Sequence, residues 1–303
     1  MRDQFAKNRF IKQPMTISEL LKEVVPLLKV AGIENPELDS ELIISSILNI
    51  QRYKVLIDKD RELSYNNIEK INKLIERRIK GEPVGYLIGK KEFYSLEFSV
   101  NHSVLIPRPE TEFLVDMAIY HAQSGAQVLD IGTGSGAIAI ALKYNRSDLN
   151  IFASDISKRA LKVAQKNANT ILKNNSIIFK KSDLFSSFDG MRFDIIVTNP
   201  PYIDSTAKGT LQKEISYEPS IALFADDNGK EIINRIVLDS ANYLNNNGLL
   251  IIEIGSEMKD HIIKLGQGNN FSVSVINDYA GLPRVAILKN DREKLSLSCK
   301  KIY

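Results

Sequence analysis

Four consecutive residues, Asn199-Pro200-Pro201-Tyr202, follow the apolar run Phe193–Thr198 and bring together an amide, two pyrrolidine rings and a phenol. A residue that precedes proline favours extended geometry, so Asn199 is expected to leave its strand projecting rather than turning into a helix. The prolines have no N–H, so carbonyls along this turn can accept hydrogen bonds without competing donors beside them. That pattern suits a planar NH2 group on a conjugated carbon. One hydrogen would go to the Asn199 side-chain oxygen and the other to the Pro200 carbonyl, with the Tyr202 ring on the planar face. A nitrogen of this kind is a poor nucleophile because its lone pair is delocalised. Acceptors around it would stabilise the positive charge that develops as it attacks a methyl sulfonium, so orientation and electrostatics can replace a strong base.

A second group of residues has the chemistry for a nucleoside ligand. Asp130-Ile-Gly-Thr-Gly-Ser-Gly136 follows an apolar run and precedes a helical pattern. Glycines at 132, 134 and 136, with Thr133 and Ser135 between them, would let a ligand approach the backbone, and the helix start offers unpaired N–H groups. Nicotinamide, flavin and adenosylmethionine proteins all use loops of this kind, so the loop alone does not choose among them. Asp155 ends the next apolar run, about 25 residues beyond Asp130, close to where an acid would accept hydrogen bonds from ribose hydroxyls. Asp183 stands after a third such run, where it could meet an adenine amine or could equally be a helix cap or a solvated loop acid.

These residues need a scaffold that brings strand ends to one edge. From about Gln127 short apolar runs alternate with helical ones, the pattern of a mainly parallel sheet covered on both faces. Seven strands are predicted, at QVLDI, NIFASD, SIIF, FDIIVT, LLIIEIG, SVSVIN and RVAILK. Only DYAGLP separates the last two, too little for a helical crossover, so they are expected to pair antiparallel. Between the second and third strands, Leu161, Ala164, Ala168 and Ile171 form one helical stripe that Ser157 can cap.

The preceding sequence has a different texture. Residues 16–80 read as a small helical bundle, with Asn35-Pro36 and Ser64 as helix starts and Ile68, Ile71, Leu74, Ile75 and Ile79 on one face. Residues 81–110 are predicted as a hairpin linker, from the alternation in EFYSLEFSV, and 111–290 as the catalytic domain. Residues 1–15 and 291–303 read as loose tails. Arg108-Pro-Glu-Thr-Glu112 could either close over a cofactor or simply start a helix.

Composition removes several alternatives. The 303 residues are 44% hydrophobic, enough for a main domain and a smaller one. One cysteine, Cys299, allows no internal disulfide or thiolate cluster, and three scattered histidines lack metal-ligand spacing, so no metal is expected and a cytoplasmic setting is. No apolar run approaches the roughly 18 residues of a membrane helix, and the N-terminus lacks a signal-peptide core. A net charge of +3 is too small to mark a nucleic-acid binder.

Taken with their order, the segments GEPVGYLIG, VLIPRPETE, VLDIGTGSGAIAIAL, SDIS, SDLF, VTNPPYI, YEPSIAL, LLIIEIG and DYAGLPRV resemble the HemK-type glutamine N5-methyltransferases, which modify peptide chain release factors. The resemblance runs from about Thr16 to Lys289. It implies a class I S-adenosylmethionine-dependent methyltransferase: a Rossmann-like, seven-stranded, mostly parallel sheet with an antiparallel last strand, plus the helical bundle and hairpin linker. It implies that Gly132, Thr133, Gly134, Ser135 and Gly136 cradle S-adenosyl-L-methionine, that Asp155 binds its ribose, and that Asp183 and Leu184 lie near the adenine, with Asn199 also at the cofactor. Asn199, Pro200, Pro201 and Tyr202 would hold the substrate glutamine of a Gly-Gly-Gln motif, with Asn199, Pro200 and Tyr202 catalytic. The helical domain would recognise the release factor, and the chain would act as a monomer without membrane or nucleic acid. An adenine-N6 methyltransferase acting on DNA or RNA shares the Asn-Pro-Pro-Tyr element; it would need base flipping or a single strand and normally a basic surface, whereas residues 16–80 are mixed in charge.

Overall fold

The structure is a computed structural model, and it describes residues 15–173, 176–207 and 212–291. The expected tails therefore fall outside the described residues, except at Met15 and Asp291. Met15 is not loose: it is buried and pairs antiparallel with Leu63. Cys299 also lies outside the described residues.

The chain divides into two compact units. The first runs through Gly89 and includes the later segment Lys213–Tyr217. Its helices are α1 (Ile17–Val30), α2 (Pro36–Leu48), α3 (Arg52–Ile57), α4 (Tyr65–Ile79) and α5 (Val84–Ile88). α1 starts with a capping box in which Thr16 and Glu19 bond each other's backbone N–H, and its i, i+3, i+4 residues Ile17, Leu20, Val24 and Leu28 are buried. Ser64 caps α4 through the Asn67 N–H at 3.3 Å. Asn35 takes the N-cap position of α2 without a side-chain bond, and Pro36 supplies the preset first turn. Ile68, Ile71 and Ile75 of α4 are buried as their spacing predicts, but so is Arg78, 3% exposed. Arg78 Nε lies 2.6 Å from Asp39 Oδ2 on α2, and its Nη2 pairs with Glu214 from the returning segment. Burial raises the Asp39 pKa against the lowering effect of Arg78, so this charge is tolerated only because it is paired.

The second unit begins at Lys90, so the predicted linker 81–110 divides: 81–89 belongs to the helices, and 90–110 opens the sheet unit. The hairpin pairs Lys90–Phe93 with Leu96–Ser99 and buries Phe93 and Phe98 in the core. The seven sheet strands are β1 (Gln127–Ile131), β2 (Asn150–Asp155), β3 (Ile177–Lys181), β4 (Phe193–Thr198), β5 (Leu244–Glu253), β6 (Phe271–Asn277) and β7 (Pro283–Asn290). Among the described residues their order is β3-β2-β1-β4-β5-β7-β6, parallel except for β7, which runs antiparallel to both neighbours. The predicted last hairpin forms, with β7 seated between β5 and β6.

Helices cover both faces, which is why these strands read as near-continuous apolar runs. Val128, Ile195, Val197 and Ile251 face a core shared with α6 (Glu112–His121) and α7 (Ala137–Asn145). Leu129, Ile131, Ile196, Leu250 and Ile252 face the other core, with α9 (Glu231–Ser240) and α10 (Lys259–Gly268). α8 (Lys158–Leu172) starts at Ser157, whose Oγ accepts from the Ala160 N–H at 3.2 Å as predicted. Each buried Val, Leu or Ile contributes ~1.5–3 kcal/mol, so the strand ends are mounted on a well-buried part of the unit.

Candidate active site

The strand order reverses at β1, which leads outward to β2 and β3 on one side and to β4 on the other. In open α/β sheets the crevice for ligands lies at the carboxyl ends of strands around such a switch point. Ile131 and Thr198 are register partners at the ends of β1 and β4, and the Thr198 hydroxyl donates to the Ile131 carbonyl at 2.8 Å. The glycine loop and Asn199 therefore leave the sheet side by side.

Gly132, Gly134 and Gly136 have φ of 72°, 56° and 84°, a left-handed backbone that glycine alone adopts freely. A Cβ on Gly136 would come within 2.7 Å of Ile140 and 3.2 Å of Ala164, so this glycine lets α7 pack closely on α8. A Cβ on Gly132 would meet nothing within 4 Å, and one on Gly134 only the Gly132 carbonyl at 3.9 Å. The loop thus presents bare backbone to open space, the shape a cofactor can lie against.

The loop is held from beneath and from the side. Asp130 is fully buried; its Oδ2 accepts from the Thr133 hydroxyl at 2.7 Å and the Ala139 N–H at 3.2 Å. Its Oδ1 has no hydrogen-bond partner among the described residues. Burial pushes the Asp130 carboxyl up to about 7. An unpaired carboxylate oxygen under a glycine loop fits a ligand that carries an ammonium group or another donor. Asp155, half-buried at the end of β2, accepts from the Gly134 N–H at 3.0 Å and the Ser157 N–H at 2.8 Å. Burial raises its pKa, and the two backbone bonds oppose the shift. It therefore ties β2, the loop and α8 together besides standing where a ribose acceptor is expected. Asn167 on α8, 2% exposed, adds a brace that its helical stripe did not reveal: Nδ2 donates to the carbonyls of Ser135 and Ser99, and Oδ1 accepts from the Ser99 N–H.

Asp183 lies beyond β3 at the same sheet edge, exposed and paired with Arg235 of α9 at 3.2 Å. Its carboxylate is thus already engaged by a guanidinium 52 residues further along the chain, a pairing with no local signal in the sequence. Leu184 has φ of 46° and packs half-buried on the second core.

After β4, Asn199 and Tyr202 are half-buried and Pro200 is buried. Asn199 Nδ2 donates to the Thr111 Oγ1 at 3.0 Å, Thr111 Oγ1 donates to Glu253 Oε2 at 2.7 Å, and the Tyr202 hydroxyl donates to Glu253 Oε1 at 3.1 Å. Asn199 Oδ1 accepts nothing from the described residues and remains available. Glu253, at the end of β5, is 1% exposed; burial raises its pKa, while Thr111, Tyr202 and Arg284 act to lower it. Burial also raises the pKa of Tyr202, with Glu253 beside it, so the phenol stays protonated and keeps donating. The predicted helix start at Arg108–Glu112 is a 3₁₀ turn, Pro109–Thr111, that leads into α6. Arg108 pairs with the buried Glu218 carboxylate, which also accepts from the Ile106 N–H at 3.3 Å. The backbone carbonyl of Tyr202 is packed by Gly229, at φ 78°, where a Cβ would fall 2.1 Å away.

Residues 19–89 match the family described as the PrmC N-terminal domain, and residues 109–267 match the methyltransferase small domain. The release factor glutamine methyltransferase of Buchnera aphidicola subsp. Baizongia pistaciae (strain Bp) is 40% identical over 256 residues, 84% of this chain and 92% of that protein. The chain belongs to the release factor glutamine methyltransferase family. Another member, from Leptospira interrogans serogroup Icterohaemorrhagiae serovar Lai (strain 56601), is 39% identical over 285 residues and matches 92% of this chain and 99% of that one. A crystal structure of a methyltransferase from Pyrococcus furiosus shares the fold, with a TM-score of 0.51 at 18% identity over 66% of this chain and 91% of that one. As a methyltransferase of this family, the chain uses S-adenosylmethionine as its methyl donor. Among the described residues no helix is long and apolar enough to cross a membrane, and no three His, Cys, Asp or Glu side chains are grouped to hold a metal.

Proposed function

We propose that this family member methylates N5 of the glutamine in the Gly-Gly-Gln motif of peptide chain release factors. The observation that carries the reading is the Asn199 amide: its nitrogen is committed to Thr111, and its oxygen is left to accept from a substrate NH2. When bound, S-adenosylmethionine supplies an electrophilic methyl group. Gly132, Thr133, Gly134, Ser135 and Gly136 would line its methionine end, Asp130 and Asp155 would offer acceptors to its ammonium and ribose, and Asp183 and Leu184 would stand at the adenine.

Asn199 Oδ1 and the Pro200 carbonyl then take the two hydrogens of the glutamine amide, which turns its lone pair out of conjugation and toward the methyl group. Both oxygens are dipoles fixed before reaction, so they stabilise the nascent positive charge without reorganising. Tyr202, anchored through Glu253, closes the planar side of the amide. No side chain is required as a strong base, because the product cation can pass its proton to solvent. The helical unit, which matches the PrmC N-terminal domain, is the proposed recognition element for the release factor, and the enzyme would act as a cytoplasmic monomer.

The test is incubation of the full chain with a purified release factor and S-adenosylmethionine, followed by peptide mass analysis across Gly-Gly-Gln. One methyl group on that glutamine is expected. Transfer to an adenine amine of DNA or RNA, with the glutamine unmodified, would overturn the reading.

A further inference from the structure

The proton inventory around Glu253 points to a role that the motif itself does not contain. An ionised carboxylate only accepts, and a threonine or tyrosine hydroxyl has one hydrogen to give. Glu253 takes the hydrogens of both Thr111 and Tyr202, one on each oxygen. The Thr111 oxygen has then no hydrogen left for its other neighbour, so it can only accept from Asn199. Of the two ends of the Asn199 amide, only Nδ2 can fill that place; Oδ1 there would set two acceptors against each other in a site where Thr111 is 5% exposed.

We infer that Thr111 and Glu253 are positioning residues for methyl transfer, with the Glu253 carboxylate orienting the Thr111 hydroxyl so that the Asn199 amide presents its oxygen to the reacting nitrogen. The inference rests on the proposed role of Asn199 as an acceptor for the substrate amide. It explains why an acid is kept in a strand whose same-face neighbours, Leu249 and Ile251, pack in an apolar core. It also explains the pairing of distant segments: α6 packs on that face of the sheet, so the turn that starts α6 brings Thr111 over the end of β5. A flipped amide would offer the substrate two N–H donors in place of an acceptor, and the glutamine NH2 would be repelled.

The experiment uses the full chain with T111V, T111S and E253Q. T111V keeps the shape and removes both the hydroxyl's acceptor and donor. Its kcat for methyl transfer to a release factor is expected to fall on the order of 10- to 100-fold, the scale of a misplaced positioning group, with the Kd for S-adenosylmethionine and the KM for the release factor within about threefold of wild type. T111S restores the hydroxyl and is expected to recover most of the rate. E253Q can donate to Thr111 and lets the hydroxyl point at Asn199, so it is expected to resemble T111V. A second readout is independent of turnover: the Asn199 side-chain NH2 signals in nitrogen-edited NMR, identified by their loss in N199D, should shift and lose protection from exchange in T111V but not in T111S. If wild type failed to methylate the release factor while the NMR signals behaved as stated, the proposed function would fail and the orientation device would stand. Wild-type kcat in T111V, or unchanged Asn199 NH2 signals, would overturn the inference.

Discussion

Replacement of Asp155 by alanine tests whether one carboxylate serves both the scaffold and the ligand. In the folded chain its two oxygens accept from the N–H groups of Gly134 and Ser157, at 3.0 and 2.8 Å. A hydrogen bond to a charged group contributes roughly 1.5–3 kcal/mol, so two come to roughly 3–6 kcal/mol, but burial raises this carboxyl's pKa despite both bonds and holds its net contribution below the low end of that sum. Asp155→Ala should therefore destabilise the sheet unit by about 2–3 kcal/mol, which lowers Tm by roughly 4–12 °C for a unit of this size. If the same oxygens also take the ribose hydroxyls, S-adenosylmethionine binding should weaken roughly 10- to 150-fold. Thermal unfolding and calorimetric titration read the two effects separately. Asp155→Asn keeps one acceptor but faces an NH2 toward the remaining backbone donor, so it should recover little of either. A Tm lowered as stated with wild-type affinity would confine Asp155 to bracing the loop. An unchanged Tm would mean that the two backbone bonds contribute nothing net, and the reasoning about the brace would be wrong.

Asn199→Ala should leave S-adenosylmethionine affinity nearly unchanged and lower single-turnover methyl transfer on the order of 100-fold, since it removes an acceptor that acts mainly on the developing charge; transfer within a few-fold of wild type would refute the acceptor mechanism. Arg78→Met should destabilise the helical unit by about 3–5 kcal/mol in urea unfolding, because it leaves Asp39, 6% exposed, as a buried charge without its partner; a loss below 1 kcal/mol would mean that Asp39 takes up a proton at little cost. The Asp130 carboxyl, pushed by burial from the ordinary 3.8 of an aspartate up to about 7 when folded, binds a proton in the folded state that the unfolded chain has already released. Its contribution is thus most favourable below about pH 4 and is lost as pH rises through about 7, by about 4 kcal/mol in all. Stability of wild type relative to Asp130→Asn should fall over that window, and parallel pH curves for the two proteins would show that no such shift exists.

The scaffold was legible because its physics is local. Continuous apolar runs of strand length, alternating with helical stripes, can be buried only as a sheet covered on both faces, and β1, β2 and β4 occupy the residues that QVLDI, NIFASD and FDIIVT predict. DYAGLP could hold only a tight connection, and β6 pairs with β7 antiparallel. Other features depended on distant partners. Nothing near Met15 announces that it pairs with Leu63, and the linker divides at Gly89 because Val84–Ile88 coils into a helix before the hairpin starts. Arg78 sits on the apolar stripe of α4, where a charge is expected to point away; only Asp39 and Glu214, from two other segments, make its burial tolerable.

The site divides along the same line. Motifs identify atoms that belong to one turn of chain: the three positive-φ glycines, Asp155 at its strand end, and Asn199 before its prolines. They cannot say which end of the Asn199 amide faces outward, because its neighbour Thr111 is 88 residues away and the acid that orients Thr111 is 142 residues from it. A signal was nevertheless present. In LLIIEIG a charged residue interrupts an apolar strand, and a buried acid is retained only where donors meet it. Those donors had to be sought among residues that reach the same sheet edge, and RPETE and NPPY each contain a hydroxyl. The three motifs are therefore one device: two hydroxyls satisfy a single carboxylate, and the hydroxyl of Thr111, having spent its hydrogen, decides the orientation of the amide on which the chemistry is proposed to depend.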